Sequence, residues 1–283
     1  MRYDPLGVQT FFDNYGMREW ERLERTLQGR IKYAIHRRFL DEYVPEGVQV
    51  LDVGCGPGRF SVDLARRGAS LTLADISQTQ LDMARVQLDA AGLLKRVQAF
   101  HRLDMVNMRE LGDESFDVVV CYGAALSYTY DRYETAIKEL ERVLCPGGRL
   151  LISVDSLFGT LRLIGPLDGH TFLELPDSHI DWKAVLSGAG VVYTRPGSPE
   201  FHQPLVLFTS HGLRQALELV KLQVVELAAA NPVVSEGAQI PRITANSQAT
   251  AALTALEAAL CNWPGLVDAG EHLLAVACKP GAV

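Results

Sequence analysis

The sequence predicts an α/β fold built on a mostly parallel sheet, and three observations predict it. Short β-rich runs alternate with helical periodicity from residue 48 to residue 155. The segment Phe116 to Cys121 reads as an apolar run, the mark of a strand buried on both faces. A cluster of glycines follows the first strand directly, where an open α/β sheet turns into its first helix.

The chain has 283 residues, 48% of them apolar and 22% charged. At roughly 150 residues per domain this is just under two domains, and one enlarged α/β domain also fits. The composition excludes a disordered or collagen-like chain and suffices for a sizeable core. The net charge of −7 argues against a general nucleic-acid coat, whose affinity rests on cations meeting phosphates. The cysteines Cys55, Cys121, Cys145, Cys261 and Cys278 are scattered and show no zinc-ligand spacing, so no metal is expected. They read as reduced thiols. Met1-Arg2-Tyr3-Asp4-Pro5 carries no apolar stretch, and no uncharged apolar run approaches the ~20 residues that span a bilayer. The sequence therefore predicts a soluble, cytoplasmic protein, a monomer or a homodimer.

Residues 9–43 read as helices, and Trp20, Leu23, Leu27, Ile31, Ala34 and Ile35 recur at three- and four-residue steps from Glu19 to Tyr43. Pro45-Glu46-Gly47 ends that segment. Val48 to Val53 is the first strand, and Arg59 to Arg67 is a helix closed by Gly68. Leu71 to Ala74 is the second strand. Ser77 with Gln80 makes a capping box for a helix that runs to about Ala91. Val97 to Leu103 is a third strand and Phe116 to Cys121 a fourth. Asp131 with Glu134 is placed to cap the next helix, and Pro146-Gly147-Gly148 to end it before a strand at Arg149 to Val154. The alternation then breaks over a segment with five prolines. Thr209-Ser210 opens a capped helix, a strand lies near Val224–Leu227, residues 235–248 are a polar stretch, and a helix near 249–261 precedes a strand at His272 to Ala277.

Leu51-Asp52-Val53-Gly54-Cys55-Gly56-Pro57-Gly58 is the sharpest signal. Glycines at 54, 56 and 58 let the backbone turn and approach a ligand without Cβ clashes. A dinucleotide fingerprint needs its third glycine at position 59, which is Arg59. An acidic residue before the loop, Asp52, also disfavours a pyrophosphate and favours an amino group. The loop resembles motif I of class I S-adenosylmethionine-dependent methyltransferases. Further likeness lies in Asp75 closing the second strand, Asp104-Met105 after the third, Ser115 to Val120 as the fourth, and Glu139 to Gly148 with its Pro-Gly-Gly turn.

The resemblance implies a seven-stranded Rossmann-like sheet with helices on both faces. Residues 1–45 would form a helical lid, residues 46–156 and 209–283 the core, and residues 157–208 an insertion shaping the acceptor site. It implies S-adenosylmethionine as cosubstrate and S-adenosylhomocysteine as product. Asp52, Gly54, Cys55, Gly56, Gly58 and Gln80 would serve the donor site, with Asp75 on the ribose hydroxyls and Ile76 and Met105 on the adenine. Asp104 would take the adenine amino group and the Cys121 carbonyl the methionine end, with Tyr15 and Arg22 in the lid and an arginine, Arg22 or Arg30, on the donor carboxylate.

Methyl transfer is an in-line displacement, so positioning dominates, and a base is needed only where the nucleophile must lose a proton. Tyr122 and Tyr128 after the fourth strand, and His179 in the insertion, are the catalytic candidates. His170, Trp182, Tyr193 and His202 accompany them. The leading expectation is a small-molecule acceptor and no membrane partner. Two alternatives stand beside it. One is a tRNA wobble-uridine-type methyltransferase, with Arg30, Lys32, His36, Arg37 and Arg38 as its basic patch. The other is a binding protein for the cosubstrate that transfers nothing.

Overall fold

The computed structural model describes residues 2–167, 191–193, 205–234 and 240–281. Helices α1 (Pro5–Tyr15), α2 (Arg18–Glu21) and α3 (Leu27–Tyr43) precede the sheet. Strands β1 (Gln49–Val53), β2 (Ser70–Asp75), β3 (Val97–Arg102), β4 (Phe116–Cys121) and β5 (Leu144–Asp155) alternate with α4 (Arg59–Arg66), α5 (Gln78–Ala90) and α6 (Tyr133–Val143). Then come α7 (Leu157–Leu167), β6 (Val191–Tyr193), β7 (Leu205–Leu207), α8 (Ser210–Leu219) and β8 (Gln223–Ala230). Helices α9 (Ile240–Thr244) and α10 (Ser247–Leu260) lead to β9 (His272–Cys278).

Seven strands form one sheet in the order β3-β2-β1-β4-β5-β9-β8, and β6 pairs with β7 apart from it. β1 to β5 are parallel, while β9 runs antiparallel to both β5 and β8. The alternation of the apolar strands explains the two-sided core. Val50, Val118 and Val120 face Ile31, Ile35 and Leu64 on one side. Leu51, Val53, Val119 and Cys121 face Ile137, Leu140 and Leu213 on the other.

The expected helix from Glu19 to Tyr43 is broken, because Thr26 caps α3 by accepting the Gly29 amide at 2.9 Å. Ser77 caps α5 as expected and accepts from Gln80 N–H at 3.1 Å. The reciprocal half of the box is absent: the Ser77 amide donates to Asp75 Oδ1, and the Gln80 side chain turns to the N-terminal helices. Asp131 does not cap α6. It accepts from the Tyr3 amide at 2.8 Å, so a contact far along the chain displaces the local one. Pro146-Gly147-Gly148 lies within β5, not after a longer helix. Pairing with β4 jumps from Leu144 to Arg149, so residues 145–148 bulge out of the ladder. The polar stretch 235–248 contains α9, and Thr209 caps α8 by accepting from Gly212 N–H.

Candidate functional site

β1 delivers the glycine turn to the carboxyl end of the sheet. The Gly54 and Cys55 amides both donate to the Ala74 carbonyl at 2.8 and 3.2 Å, which ties the turn to the end of β2. Gly54 has φ +66°, and a Cβ there would stand 2.4 Å from the Ala125 Cβ, so the chain after β4 can rest on the turn only over a glycine. Asp75 ends β2 beside it. Its Oδ2 accepts from Gly56 N–H at 2.8 Å and its Oδ1 from Ser77 N–H at 2.9 Å. Each oxygen keeps a second lone pair, and the two amides hold the carboxylate at one angle.

Around this turn lies a cavity enclosing about 850 Å³, its open mouth included. Its floor is Asp52 to Pro57, and one side is Asp75, Ile76, Leu103, Asp104 and Met105. The opposite wall is Tyr122, Gly123, Ala125, Tyr128 and Thr129, all in or beside the turn that follows β4. The roof is Tyr3, Val8, Phe12, Glu19, Arg22 and Leu23. Five side-chain hydrogen bonds fasten that roof. The Tyr3 hydroxyl donates to Asp104 Oδ1 at 2.9 Å and the Ser77 hydroxyl to Asp13 Oδ1 at 2.5 Å. Gln80 Nε2 donates to the Phe12 and Gly16 carbonyls, and Arg102 donates to Gln9 at 3.0 Å.

The cavity is acidic on balance, with Glu19, Asp52, Asp75 and Asp104 against Arg22 and Arg59. Burial pushes the Asp52 carboxyl up to about 7, although the Ser61 hydroxyl donates to it at 2.5 Å; the charge of Asp75 adds to the rise. Burial likewise pushes Asp75 up to about 6, against the two amides that it accepts from. Glu19 grips the Arg22 guanidinium with Nε–O distances of 2.7 Å to both oxygens, a bidentate pair. Burial opposes the Arg22 charge, and Glu19 more than restores it. A pyrophosphate placed among Asp52, Asp75 and Asp104 meets like charge. A cation, or a zwitterionic tail with an ammonium, meets its complement.

Residues 50–148 match the family model described as "Methyltransferase domain". The chain is 36% identical over 154 residues to Methyltransferase GfsG of Streptomyces halstedii, covering 52% of this chain and 54% of that one. It is 32% identical over 142 residues to a ubiquinone biosynthesis O-methyltransferase of Alkalilimnicola ehrlichii, covering 49% and 54%. Residues 50–148 carry a methyltransferase domain, and the proteins that they resemble are class I S-adenosylmethionine-dependent methyltransferases. It spans about half the length of these curated relatives. A likeness of fold extends further. The putative methyltransferase solved with the Trm112 activator of Haloferax volcanii aligns over 98% of this chain and 99% of that one, at 20% identity and a TM-score of 0.63.

The structure gathers most of the residues expected at the donor site, and the catalytic candidates Tyr122 and Tyr128, on one cavity. Asp52, Gly54, Cys55, Gly56, Asp75, Ile76, Asp104, Met105, Arg22, Tyr122 and Tyr128 all line it. Gly58 does not; it packs on Ala84 of α5, 3.0 Å from where its Cβ would be, and sets the start of α4. Gln80 is not turned to the cavity either, since its amide holds the roof. The Cys121 side chain is buried in the core below the sheet end, which leaves only its backbone for the methionine end. Tyr15 is not among the lining side chains: it stacks on Phe11 at 5.6 Å with the Arg18 guanidinium over its ring, close enough to Arg22 and Tyr128 to act on both. Arg30 donates to the Glu24 carbonyl, away from the cavity.

The basic patch is consumed in packing. Lys32 pairs with Glu271 at 2.8 Å, Arg37 lies over Tyr33 beside Asp63, and Arg38 donates to the Ala258 carbonyl. His36 is buried and held neutral, burial pushing it down to about 3. His170, His179, Trp182 and His202 lie outside the described residues, as does the Tyr193 side chain. All five cysteines are free thiols, and the described residues hold no cluster of metal-ligating side chains. No helix among them is long and apolar enough to cross a membrane. Tyr3, Phe12 and Glu19 escaped the sequence reading. The Glu19 to Arg22 step of three residues, an ion-pair spacing on a helix, was the one signal for Glu19.

Proposed function

We propose that the chain is an S-adenosylmethionine-dependent methyltransferase acting on a small-molecule acceptor in the cytoplasm. The observation that carries this reading is the acidic cavity between the glycine turn and its helical roof. A sulfonium with an ammonium tail suits it, and a dinucleotide does not. The bound donor supplies an electrophilic methyl group whose transfer is an in-line displacement. The residues of this chain bind, orient and exclude water. Asp75 would accept the ribose hydroxyls through its free lone pairs. Ile76 and Met105 would hold the adenine faces, and Asp104 would take the exocyclic amino group together with the Tyr3 hydroxyl.

Glu19 and Arg22 would exchange part of their mutual pairing for the ammonium and carboxylate of the methionine end. Residues 1–45 would act as the lid that closes the cavity to water. The segment 157–208 would shape the acceptor side. Pairing of Lys32, Arg37 and Arg38 within the fold leaves α3 little free cation for tRNA phosphates. The ubiquinone-pathway O-methyltransferase relative adds weight to a small acceptor.

Calorimetry with S-adenosylhomocysteine tests donor binding, and labelled donor with a metabolite extract and with bulk tRNA tests the acceptor class. Saturable binding and label in the small-molecule fraction are expected. Label in tRNA alone refutes the acceptor class, and binding without any transfer refutes the enzyme.

A further inference from the structure

Next to Tyr128 lies a polar cluster that donor binding leaves unused. Asp155 ends β5, and His272 opens β9 directly across from it in the antiparallel ladder. His272 Nε2 stands 3.6 Å from Asp155 Oδ1, and His272 Nδ1 is buried without a hydrogen-bond partner. Asp155 keeps 20% of its side chain accessible against 8% for His272, so the carboxylate is the outward member of the pair. The Asp155 amide donates to the Ser127 hydroxyl at 2.9 Å, which joins it to the turn after β4. Arg22 from the roof, Lys32 from α3, Glu271 before β9 and Ser127 all act on the Asp155 charge, and Tyr128 feels it in turn. His36 of α3 meets His272 at a ring separation of 5.9 Å and on its own account meets Tyr122 of the cavity wall at 4.7 Å.

We propose that Asp155, fixed through its backbone amide to the Ser127 hydroxyl and bordered by the neutral ring of His272, is the general base that takes the proton of a phenol-type hydroxyl on the acceptor, bound beside Tyr128 over the ends of β4 and β5. The proposal rests on the donor reading above and names the acceptor of that same site. In the step, the hydroxyl proton passes to Asp155 as the oxygen lone pair forms the new C–O bond to the methyl. The methyl–sulfur bond breaks, and its electron pair stays on sulfur, which becomes a neutral thioether. Asp155 returns its proton to water after the product leaves.

Two observations select this acceptor chemistry. Burial lifts the Asp155 carboxyl to about 6, against the charges of Lys32 and Arg22, and it pushes His272 down so that the ring is neutral. Such a base serves a hydroxyl of pKa near about 10, whereas an amine attacks first and sheds its proton afterwards. Phe12 of the roof and Tyr122 and Tyr128 of the wall line the cavity at this end, with Phe11 packed on Tyr128 outside the lining. Phe11 stacks on Tyr128 at 6.2 Å and Phe12 meets it edge-on at 4.9 Å, a wall suited to a planar ring.

The test uses the full chain, a panel of phenols and catechols with amines and thiols of matched size, and the variants Asp155→Asn and His272→Gln. Wild type is expected to methylate hydroxyl acceptors, with kcat rising with pH through about 6. Asp155→Asn should lower kcat about 100-fold or more and abolish that acid limb. His272→Gln should move the limb while leaving KM for the donor unchanged. S-adenosylhomocysteine affinity and thermal unfolding of both variants should stay close to wild type, which separates a lost base from a lost fold. An Asp155→Asn enzyme with full kcat and an unchanged pH profile overturns the base. So does methylation confined to amines or thiols, or no product from any hydroxyl while S-adenosylhomocysteine binds normally; those results leave the donor reading standing. Failure of wild type to bind S-adenosylhomocysteine overturns both.

Discussion

The hydroxyl of Tyr3 donates to the carboxylate of Asp104 at 2.9 Å, so a residue of the N-terminal segment is bonded to the far side of the cavity. The same oxygen accepts the Val106 amide at 2.9 Å, which fixes Asp104 before the roof arrives. Replacing Tyr3 by Phe keeps the ring and removes the donor. The expected loss is about 1 kcal/mol of S-adenosylhomocysteine affinity, with faster release and little change in the stability of the free protein. Calorimetry and stopped-flow dissociation check it; equal affinity and equal release rate would show that this bond does not hold the roof.

Asp75 is the second contact to test. Asp75→Ala should weaken S-adenosylhomocysteine binding by about 1–3 kcal/mol, the range for hydrogen bonds to a charged group. It also strips the Gly56 and Ser77 amides of their acceptor, so a fall in unfolding temperature is expected alongside. Calorimetry that finds donor affinity intact would remove Asp75 from the ribose site.

Gly54→Ala separates crowding from backbone strain. Gly92 has a similar φ of +69° with nothing within 4 Å of the added Cβ, whereas at Gly54 the Ala125 Cβ stands in the way. Gly92→Ala should cost about 1 kcal/mol from the left-handed backbone alone, and Gly54→Ala about 2–4 kcal/mol. Denaturant unfolding of the two variants compares them directly. Equal losses would mean that the close approach of residue 125 is relieved at no cost.

Donor uptake should release protons near pH 6.5. Asp52 and Asp75 carry raised carboxyl values, about 7 and about 6, so both are partly protonated there. A bound cation lowers both, and affinity should therefore rise with pH through 6–7 and level off above. Stability of the free protein runs the other way. These raised carboxyls contribute fully below the unfolded value of 3.8, and that contribution is lost as pH rises through 6–7. Calorimetry in buffers of differing ionisation enthalpy measures the release; a slope of zero at pH 6.5 would exclude it.

What the sequence discloses follows from the range of the forces involved. The strands and the glycine turn are legible because Val50, Leu51 and Val53, like Val118 to Cys121, must be apolar wherever a parallel sheet is covered on both faces. Asp52, Asp75 and Asp104 are legible because strand ends bring them to one edge. Asp131 and Gln80 mislead for one shared reason. Each looks like a local cap, yet each spends its side chain on the N-terminal segment, 128 and 68 residues away. No pattern of nearby residues records such a bond. Asp155 and His272 were unreadable for the same cause, since 117 positions separate them in the chain and only the β5–β9 ladder makes them neighbours.

That ladder also orders events at synthesis. β9 is threaded between β5 and β8, both of which leave the ribosome earlier, so the outer edge of β5 and the whole of β8 stay unpaired until the later strand emerges. Until then the nascent chain carries two open strand edges side by side, a hazard for pairing with other chains. A stop codon or cleavage just ahead of His272 would leave that gap permanently open, and the expected fate is aggregation, not a trimmed domain.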